Sequence, residues 1–248
     1  MFEPDVAPGV HRVADAYTNW YLIEDDGLLT VVDCGVPTSW TSLHDALRRV
    51  GRALKDVAAV VLTHAHFDHV GFAERARREL GIPVHVPEND VPLARHPVRY
   101  DHERPRSLYL ATHPRGLPII ATFARHRAFF PRPVRDPVRV PEDAGMLDVP
   151  GRPHVIPTPG HTLGHCALHL PDRDAVIAGD AVVTLDPYTG LTGPRLVARA
   201  AVADSTRNLR TLDALAATSA RIVLTGHGDP WTQGAEAIVA RAREAGAA

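Results

Sequence analysis

Three histidines and one aspartate follow a short apolar segment of this chain. Residues 57–62 are small, branched or leucine and contain neither Pro nor Gly, a pattern typical of a buried strand. The cluster that follows is His64, His66, Asp68 and His69. In an extended segment, side chains two residues apart point to the same side, so His64 and His66 can bind one ion. Asp68 and His69 come where the chain is expected to turn into a helix, which can bring them to a second ion.

The mixture of imidazole and carboxylate indicates which metals would bind. These ligands suit zinc and its first-row neighbours, whereas calcium and magnesium sites are built mostly from oxygen atoms. The alternative is a solvated, histidine-rich loop that binds nothing, since short histidine motifs occur by chance.

Three further segments repeat the pattern of an apolar strand that ends in His or Asp beside Gly. The residues are His161, Asp180 and His227, after strands predicted at about 155–156, 175–178 and 221–224. Ligands held at strand ends by a rigid sheet have the preorganisation that a metal site requires. The repetition therefore favours a metal site over a solvated loop.

These motifs together resemble the metallo-β-lactamase-fold superfamily. The matching stretches are HxHxDH at 64–69, GHT at 160–162, GD at 179–180 and GHG at 226–228. Their order and spacing extend over nearly the whole chain. The resemblance implies an α/β fold, namely a four-layer αββα sandwich of two mixed β-sheets flanked by helices, with the metals at one edge.

The resemblance also implies a ligand set for two ions. His64, His66 and His161 would bind the first ion, Asp68, His69 and His227 the second, and Asp180 would bridge them. We expect two Zn²⁺, with iron or manganese as alternatives. The expected reaction is hydrolysis by a metal-bridging hydroxide, which Asp68 would orient before passing a proton to the leaving group.

Three other residues are candidates for supporting roles. Asp33 resembles the family's carboxylate that steadies a ligand histidine. His165 lies one turn beyond a ligand and either supports the site or has a structural role. Tyr188 is a candidate donor to an oxyanion, the alternative being an ordinary turn tyrosine.

The whole chain is expected to form a single domain, 1–248, with an Arg- and Pro-rich insertion at about 92–141. Residues 95–139 hold ten Arg against three acidic residues, while the remaining chain has 17 basic and 26 acidic residues, a net charge of −9. The insertion is either a surface segment packed on the core or a lid over the metals. Within it, residues 117–130 predict one helix of about three turns, whose apolar face consists of Ile119, Ile120, Phe123, Phe129 and Phe130.

A cytoplasmic location is expected. The N-terminal residues lack the basic start and apolar centre of a secretory signal, and no apolar run approaches the roughly 20 residues that span a bilayer. Cys34 and Cys166, the two cysteines of the chain, fit a reducing compartment.

The expected substrate is a small ester, thioester or lactone with an acyl part and an anionic group. β-Lactamase activity ranks low because the family's true β-lactamases are typically exported and lack Asp180. Glyoxalase II would require a longer C-terminal region, and Val183 stands where quorum-quenching lactonases carry Tyr. The alternatives are a phosphodiesterase or nuclease and a mononuclear-iron sulfur dioxygenase. A nucleic acid partner is not expected, because the chain outside residues 95–139 has a net negative charge.

Overall fold

The computed structural model describes residues 1–246, apart from the side chains of Leu108 and Leu110, so the last two residues of the predicted domain lie outside the described residues. The strands are β1 (Phe2–Ala7), β2 (Val10–Asp15), β3 (Thr18–Asp25), β4 (Leu28–Val32), β5 (Val57–Val61), β6 (Val84–Pro87), β7 (Val138–Val140), β8 (His154–Pro157), β9 (Cys166–Leu170), β10 (Ala175–Gly179), β11 (Val183–Leu185), β12 (Thr192–Arg195) and β13 (Ile222–Thr225). The helices are α1 (Ser39–Arg49), α2 (Ala73–Leu80), α3 (Val91–Arg95), α4 (Arg106–Thr112), α5 (Leu117–Arg125), α6 (Ser205–Ala216) and α7 (Ala235–Ala245). Among these helices, none is both long and apolar enough to cross a membrane.

The described strands form two mixed sheets and a small hairpin. The larger sheet has the order β1-β2-β3-β4-β5-β6-β7, antiparallel as far as β4 and parallel from β4 onward. The smaller sheet has the order β13-β10-β9-β8, with one parallel pair, β10 and β13. The hairpin is β11 with β12.

Successive side chains of a strand point to opposite faces of the sheet and pack in different layers. On β3, Trp20 and Leu22 pack in the cluster that α1 and α2 cover, whereas Tyr21 and Ile23 pack between the sheets. This is the two-residue period of a strand with both faces buried. The central layer contains Tyr21, Ile23, Val61, Leu168, Ile177 and Leu224. The outer face of the smaller sheet packs against α6 and α7. The predicted αββα sandwich is therefore confirmed.

The Arg- and Pro-rich segment contains α3, α4 and α5 and packs beside the HxHxDH motif. Phe123 on α5 contacts Phe67 of that motif, with ring centroids 5.7 Å apart. The single helix predicted at 117–130 is wrong in its length, because α5 ends at Arg125 and Arg127 has a φ of 58°, which a helix cannot contain. As a result, Phe130 is 75% exposed instead of lying on the buried face.

Candidate metal centre

The seven predicted ligands converge at one edge of the sandwich. The larger sheet supplies His64, His66, Asp68 and His69 after β5, and the smaller sheet supplies His161, Asp180 and His227 around the ends of β8, β10 and β13. All seven residues are at most 5% exposed. Polar side chains buried this deeply need partners, because each unpaired group costs free energy.

The first group consists of His64, His66 and His161, which offer ligand atoms within 4.8 Å of one another. His66 Nδ1 and His161 Nε2 lie 2.9 Å apart. Thr63 Oγ1 donates its proton to Asp33 at 2.8 Å, so His64 Nδ1, 3.0 Å from that oxygen, must donate to it. The unprotonated Nε2 of His64 is then available, and it has no hydrogen-bond partner among the described residues.

The second group consists of Asp68, His69 and His227, again with ligand atoms within 4.8 Å. His69 Nδ1 donates to Asp33 at 2.9 Å, and His227 Nδ1 donates to the Tyr17 carbonyl at 2.7 Å. Both rings therefore present Nε2 to the centre. His227 Nε2 lies 3.4 Å from Asp68 Oδ2.

Asp180 lies between the two groups. Its Oδ2 is 3.4 Å from His161 Nε2 and 3.2 Å from His227 Nε2, and its Oδ1 is 3.7 Å from His69 Nε2. A Cβ at Gly226 would lie 2.0 Å from Asp180 Oδ1. Only Gly at position 226 therefore lets the Asp180 carboxylate lie this close to the backbone before His227. One carboxylate thus reaches ligands from both groups.

The pKa shifts divide the histidines in the same way. Burial lowers the pKa of His64 and His66 well below the usual value and that of His161 to about 4, which keeps these rings neutral. Burial acts to lower the pKa of His69 as well. The carboxylates of Asp180, Asp33 and Asp68 outweigh this effect and raise the pKa of His69 to about 10. The neutral rings are suited to bind a metal, and the carboxylates around the second group favour a cation.

The donor set and its unpaired atoms fit transition-metal ions. Buried nitrogens of His64 and His69 and Asp180 Oδ1 lack hydrogen-bond partners among the described residues, although all three face the centre. Imidazole with carboxylate is a ligand set of zinc, iron and manganese.

The three predicted supporting residues all contact the centre or lie beside it. Asp33 accepts hydrogen bonds from His69, as above, and from the Thr63 amide at 2.8 Å. His165 Nε2 accepts the Asp180 amide hydrogen at 3.0 Å, and its Nδ1 lies 2.8 Å from Thr158 Oγ1. Both ring nitrogens of His165 are therefore engaged, so it supports Asp180 and is not placed as a ligand.

Tyr188 lies next to Tyr100, a residue that was not predicted. Their hydroxyl oxygens are 2.5 Å apart, and both side chains are buried beside Asp68, Asp180 and His227. The Tyr100 ring lies 4.2 Å from that of His66. A motif search could not find Tyr100, because it stands in the Pro-rich segment 88 residues from its partner.

A cavity of about 310 Å³ opens beside the first group. Its wall is largely apolar, and its lining includes the buried side chains of His66, His161 and Tyr100 and the exposed charged side chains of Arg99 and Asp101. Such a concave, mostly apolar site with a few polar groups is typical of small-molecule binding.

Comparison with known proteins identifies the family. A family model described as the Metallo-beta-lactamase superfamily matches residues 13–227. This chain belongs to that superfamily. The probable metallo-hydrolase YflN of Bacillus subtilis (strain 168) is 29% identical over 243 residues, which cover 92% of this chain and 87% of that protein.

Two solved structures are also similar. The metallo-beta-lactamase family protein TTHA1429 from Thermus thermophilus has a TM-score of 0.67 and 27% identity, over 96% of this chain and 80% of that one. TTHA1623, in a di-iron-bound form, has a TM-score of 0.64 and 25% identity, over 91% of this chain and 95% of that one. The predicted family and fold are confirmed, as is the enzyme class of a metal-dependent hydrolase.

Proposed function

We propose that this metallo-β-lactamase superfamily member is a dinuclear zinc hydrolase that cleaves a small ester, thioester or lactone. The observation that carries the proposal is the position of Asp180, whose two carboxylate oxygens reach histidines of both ligand groups. Two divalent ions bound by these residues would supply a water that is nucleophilic near neutral pH and would polarise the bond under attack.

The residues around Asp68 have the proposed roles of orienting water and moving a proton. Burial raises the pKa of Asp68, so its carboxylate is a better proton acceptor than a solvated aspartate. Its Oδ2 lies 3.5 Å from Thr18 Oγ1, which can steady the carboxylate. In the proposal, Asp68 receives a proton from the attacking water and passes it to the leaving group.

The Tyr100–Tyr188 pair is the proposed donor to the oxygen that gains charge during the reaction. Only one of two hydroxyl protons can lie between the two oxygens, so the other remains available for a substrate atom in the small space beside Asp68. Such donors act where negative charge develops. Because Tyr100 belongs to the segment 92–141, this segment forms part of the proposed substrate site, covering the metals as a lid.

The 310 Å³ cavity supports a small acyl substrate. Leu93, Leu163 and Ala203 contribute to its apolar wall, and Arg99, an exposed residue of its lining, has no ion-pair partner among the described residues. An anionic group at the far end of the substrate would supply that partner. No membrane partner is proposed, and a cytoplasmic location remains a prediction.

The proposal is tested by metal analysis combined with substrate turnover. Purified protein, loaded with zinc, iron or manganese in separate preparations, is offered esters, thioesters, lactones and bis(p-nitrophenyl) phosphate. We expect about two zinc ions per chain and turnover of an ester, thioester or lactone that the His66→Ala variant lacks. Faster turnover of the phosphodiester would favour the phosphodiesterase alternative, which Arg99 also suits. One iron per chain with thiol oxidation would favour the dioxygenase.

A further inference from the structure

Asp90 connects the two loops that supply the first ligand group. It follows β6 at the start of α3 and is 1% exposed. Its Oδ2 accepts hydrogen bonds from the Ala65 amide at 2.9 Å and from Thr162 Oγ1 at 2.7 Å. Its Oδ1 accepts one from the Gly164 amide at 2.8 Å. One carboxylate therefore fixes three donors on two loops.

The positions of these donors matter for the metal site. Ala65 stands between His64 and His66, and Thr162 is adjacent to His161. The two loops leave different sheets, one after β5 and the other between β8 and β9. Asp90 is thus a direct polar link between the HxHxDH loop and the loop of His161, and it sets how the first three histidines face one another.

Gly164 leaves room for the Asp90 carboxylate because it has no side chain. A Cβ at residue 164 would lie 2.6 Å from the Asp90 backbone nitrogen and 2.8 Å from Asp90 Oδ1. Real Cβ atoms do not approach so closely, and Gly164 is not in the left-handed region of φ. The absence of a side chain at 164 is therefore explained by the close approach of Asp90.

The chemistry of the contact requires a carboxylate. All three partners are donors, and an ionised aspartate only accepts hydrogen bonds. An asparagine at this position would set its NH₂ group against at least one N–H or O–H. Asp90→Asn therefore keeps the size of the side chain while it breaks the link.

We propose that Asp90 is a positioning residue that preorganises His64, His66 and His161 for the first metal ion. This inference rests on the proposed two-metal function. The histidines of the second ligand group have other partners: His69 donates to Asp33 and His227 to the Tyr17 carbonyl. Loss of the Asp90 link should therefore weaken the first metal site much more than the second.

The test is a zinc titration against a chromophoric chelator, with the wild-type protein and Asp90→Asn. We expect two tight sites in the wild type and, in the variant, one site that binds zinc about 10–100-fold more weakly, as for other residues that orient metal ligands. Unchanged affinity at both sites of the variant would overturn the inference alone. A wild type that binds no zinc would overturn the proposed function and this inference together.

A second comparison assigns the weakened site. In a His161→Ala background, where the first group has already lost a ligand, Asp90→Asn is expected to change the remaining zinc affinity by less than about twofold, since coupled residues are not additive. In a His227→Ala background, Asp90→Asn should still lower the zinc affinity by about 10–100-fold. The reverse pattern would place the effect of Asp90 at the second group and refute the inference.

Glu74→Gln is the matched control. Glu74 is 4% exposed and accepts two hydrogen bonds from Arg77 and one from the Arg135 amide, none of them on a ligand loop. This variant should lower stability while both zinc affinities stay at the wild-type level; an equal loss of zinc would show that Asp90→Asn acts through general destabilisation. If Asp90→Asn does not fold, Thr162→Val removes only one of the three donors and should give a smaller loss at the same site.

Discussion

Asp33 Oδ2 accepts hydrogen bonds from both His69 Nδ1 and Thr63 Oγ1, at 2.9 and 2.8 Å. Through Thr63, which in turn accepts from His64 Nδ1, the same carboxylate fixes the tautomer of a histidine in each ligand group. Asp33 itself has a φ of 59°, a conformation that is uncommon outside glycine and that clusters at functional sites. The backbone conformation after β4 therefore places this carboxylate beside the candidate metal centre.

Replacing Asp33 with Ala should weaken zinc binding by about 10–100-fold at the site of His69, because the ring loses the partner that fixes its tautomer. Zinc competition with a chelator measures the change. Asp174→Ala is the control, since Asp174 is an exposed carboxylate that pairs with Arg221. Wild-type affinity at both sites in Asp33→Ala would contradict the role given to Asp33.

The seven candidate ligands could be predicted because each follows an apolar strand within a short motif. Asp90 obeys the same rule, since it comes three residues after β6, the parallel neighbour of β5. It was missed because no Gly stands beside it, unlike His161, Asp180 and His227, and no second His or Asp is next to it. Its partner Thr162 is 72 residues away, and only folding brings the two together.

Short elements at the margins of the fold could not be predicted. The strands β7, β11 and β12 have three or four residues each, too few to show a period. The end of α5 depends on the left-handed conformation of Arg127, which the conformational preferences of Arg do not predict. Tyr100 acquires its place from tertiary packing against Tyr188, and local sequence carries no signal of it.

Replacing Tyr188 with Phe should lower kcat about 100-fold on the best ester or lactone of the panel while KM changes little, as expected when a donor to a developing oxyanion is removed. Tyr100→Phe should cause a smaller loss, because Tyr100 orients its neighbour. Tyr17→Phe, with an exposed ring, is the control for loss of a phenol. A wild-type kcat in Tyr188→Phe would exclude the tyrosine as a donor.

Replacing Arg99 with Gln should raise KM about tenfold or more for an ester that carries a terminal carboxylate, because a hydrogen bond to a charged group contributes about 1.5–3 kcal/mol and about 1.4 kcal/mol is tenfold in affinity. The KM for the uncharged ester of the same length should not change. Steady-state kinetics with the two esters measures the difference, and Arg125→Gln, on an exposed position of α5, is the matched control. Equal effects on both esters would rule out an anion-binding role for Arg99.

Replacing Leu168 with Ala should lower the free energy of unfolding by about 2–5 kcal/mol, because its side chain is fully buried between the two sheets. Denaturant unfolding of the metal-free protein measures the change without a contribution from bound zinc. The control is Leu28→Ala: Leu28 is 45% exposed, and its loss should cost less than about 0.5 kcal/mol. A small effect at Leu168 would mean that the central layer closes around the missing side chain.

The buried carboxylate of Glu74 should make stability depend on acid pH. Burial acts to raise its pKa, but hydrogen bonds from Arg77 and from the Arg135 amide outweigh burial and hold the pKa below the usual 4.5. Because the folded state favours the ionised form, the stabilisation is present above pH 4.5 and is lost as the pH falls through the lowered pKa. The difference in unfolding free energy between the wild type and Glu74→Gln, measured without metal, should be largest near neutral pH and shrink below pH 4.5. A difference that is constant over this range would mean that Glu74 contributes through packing alone.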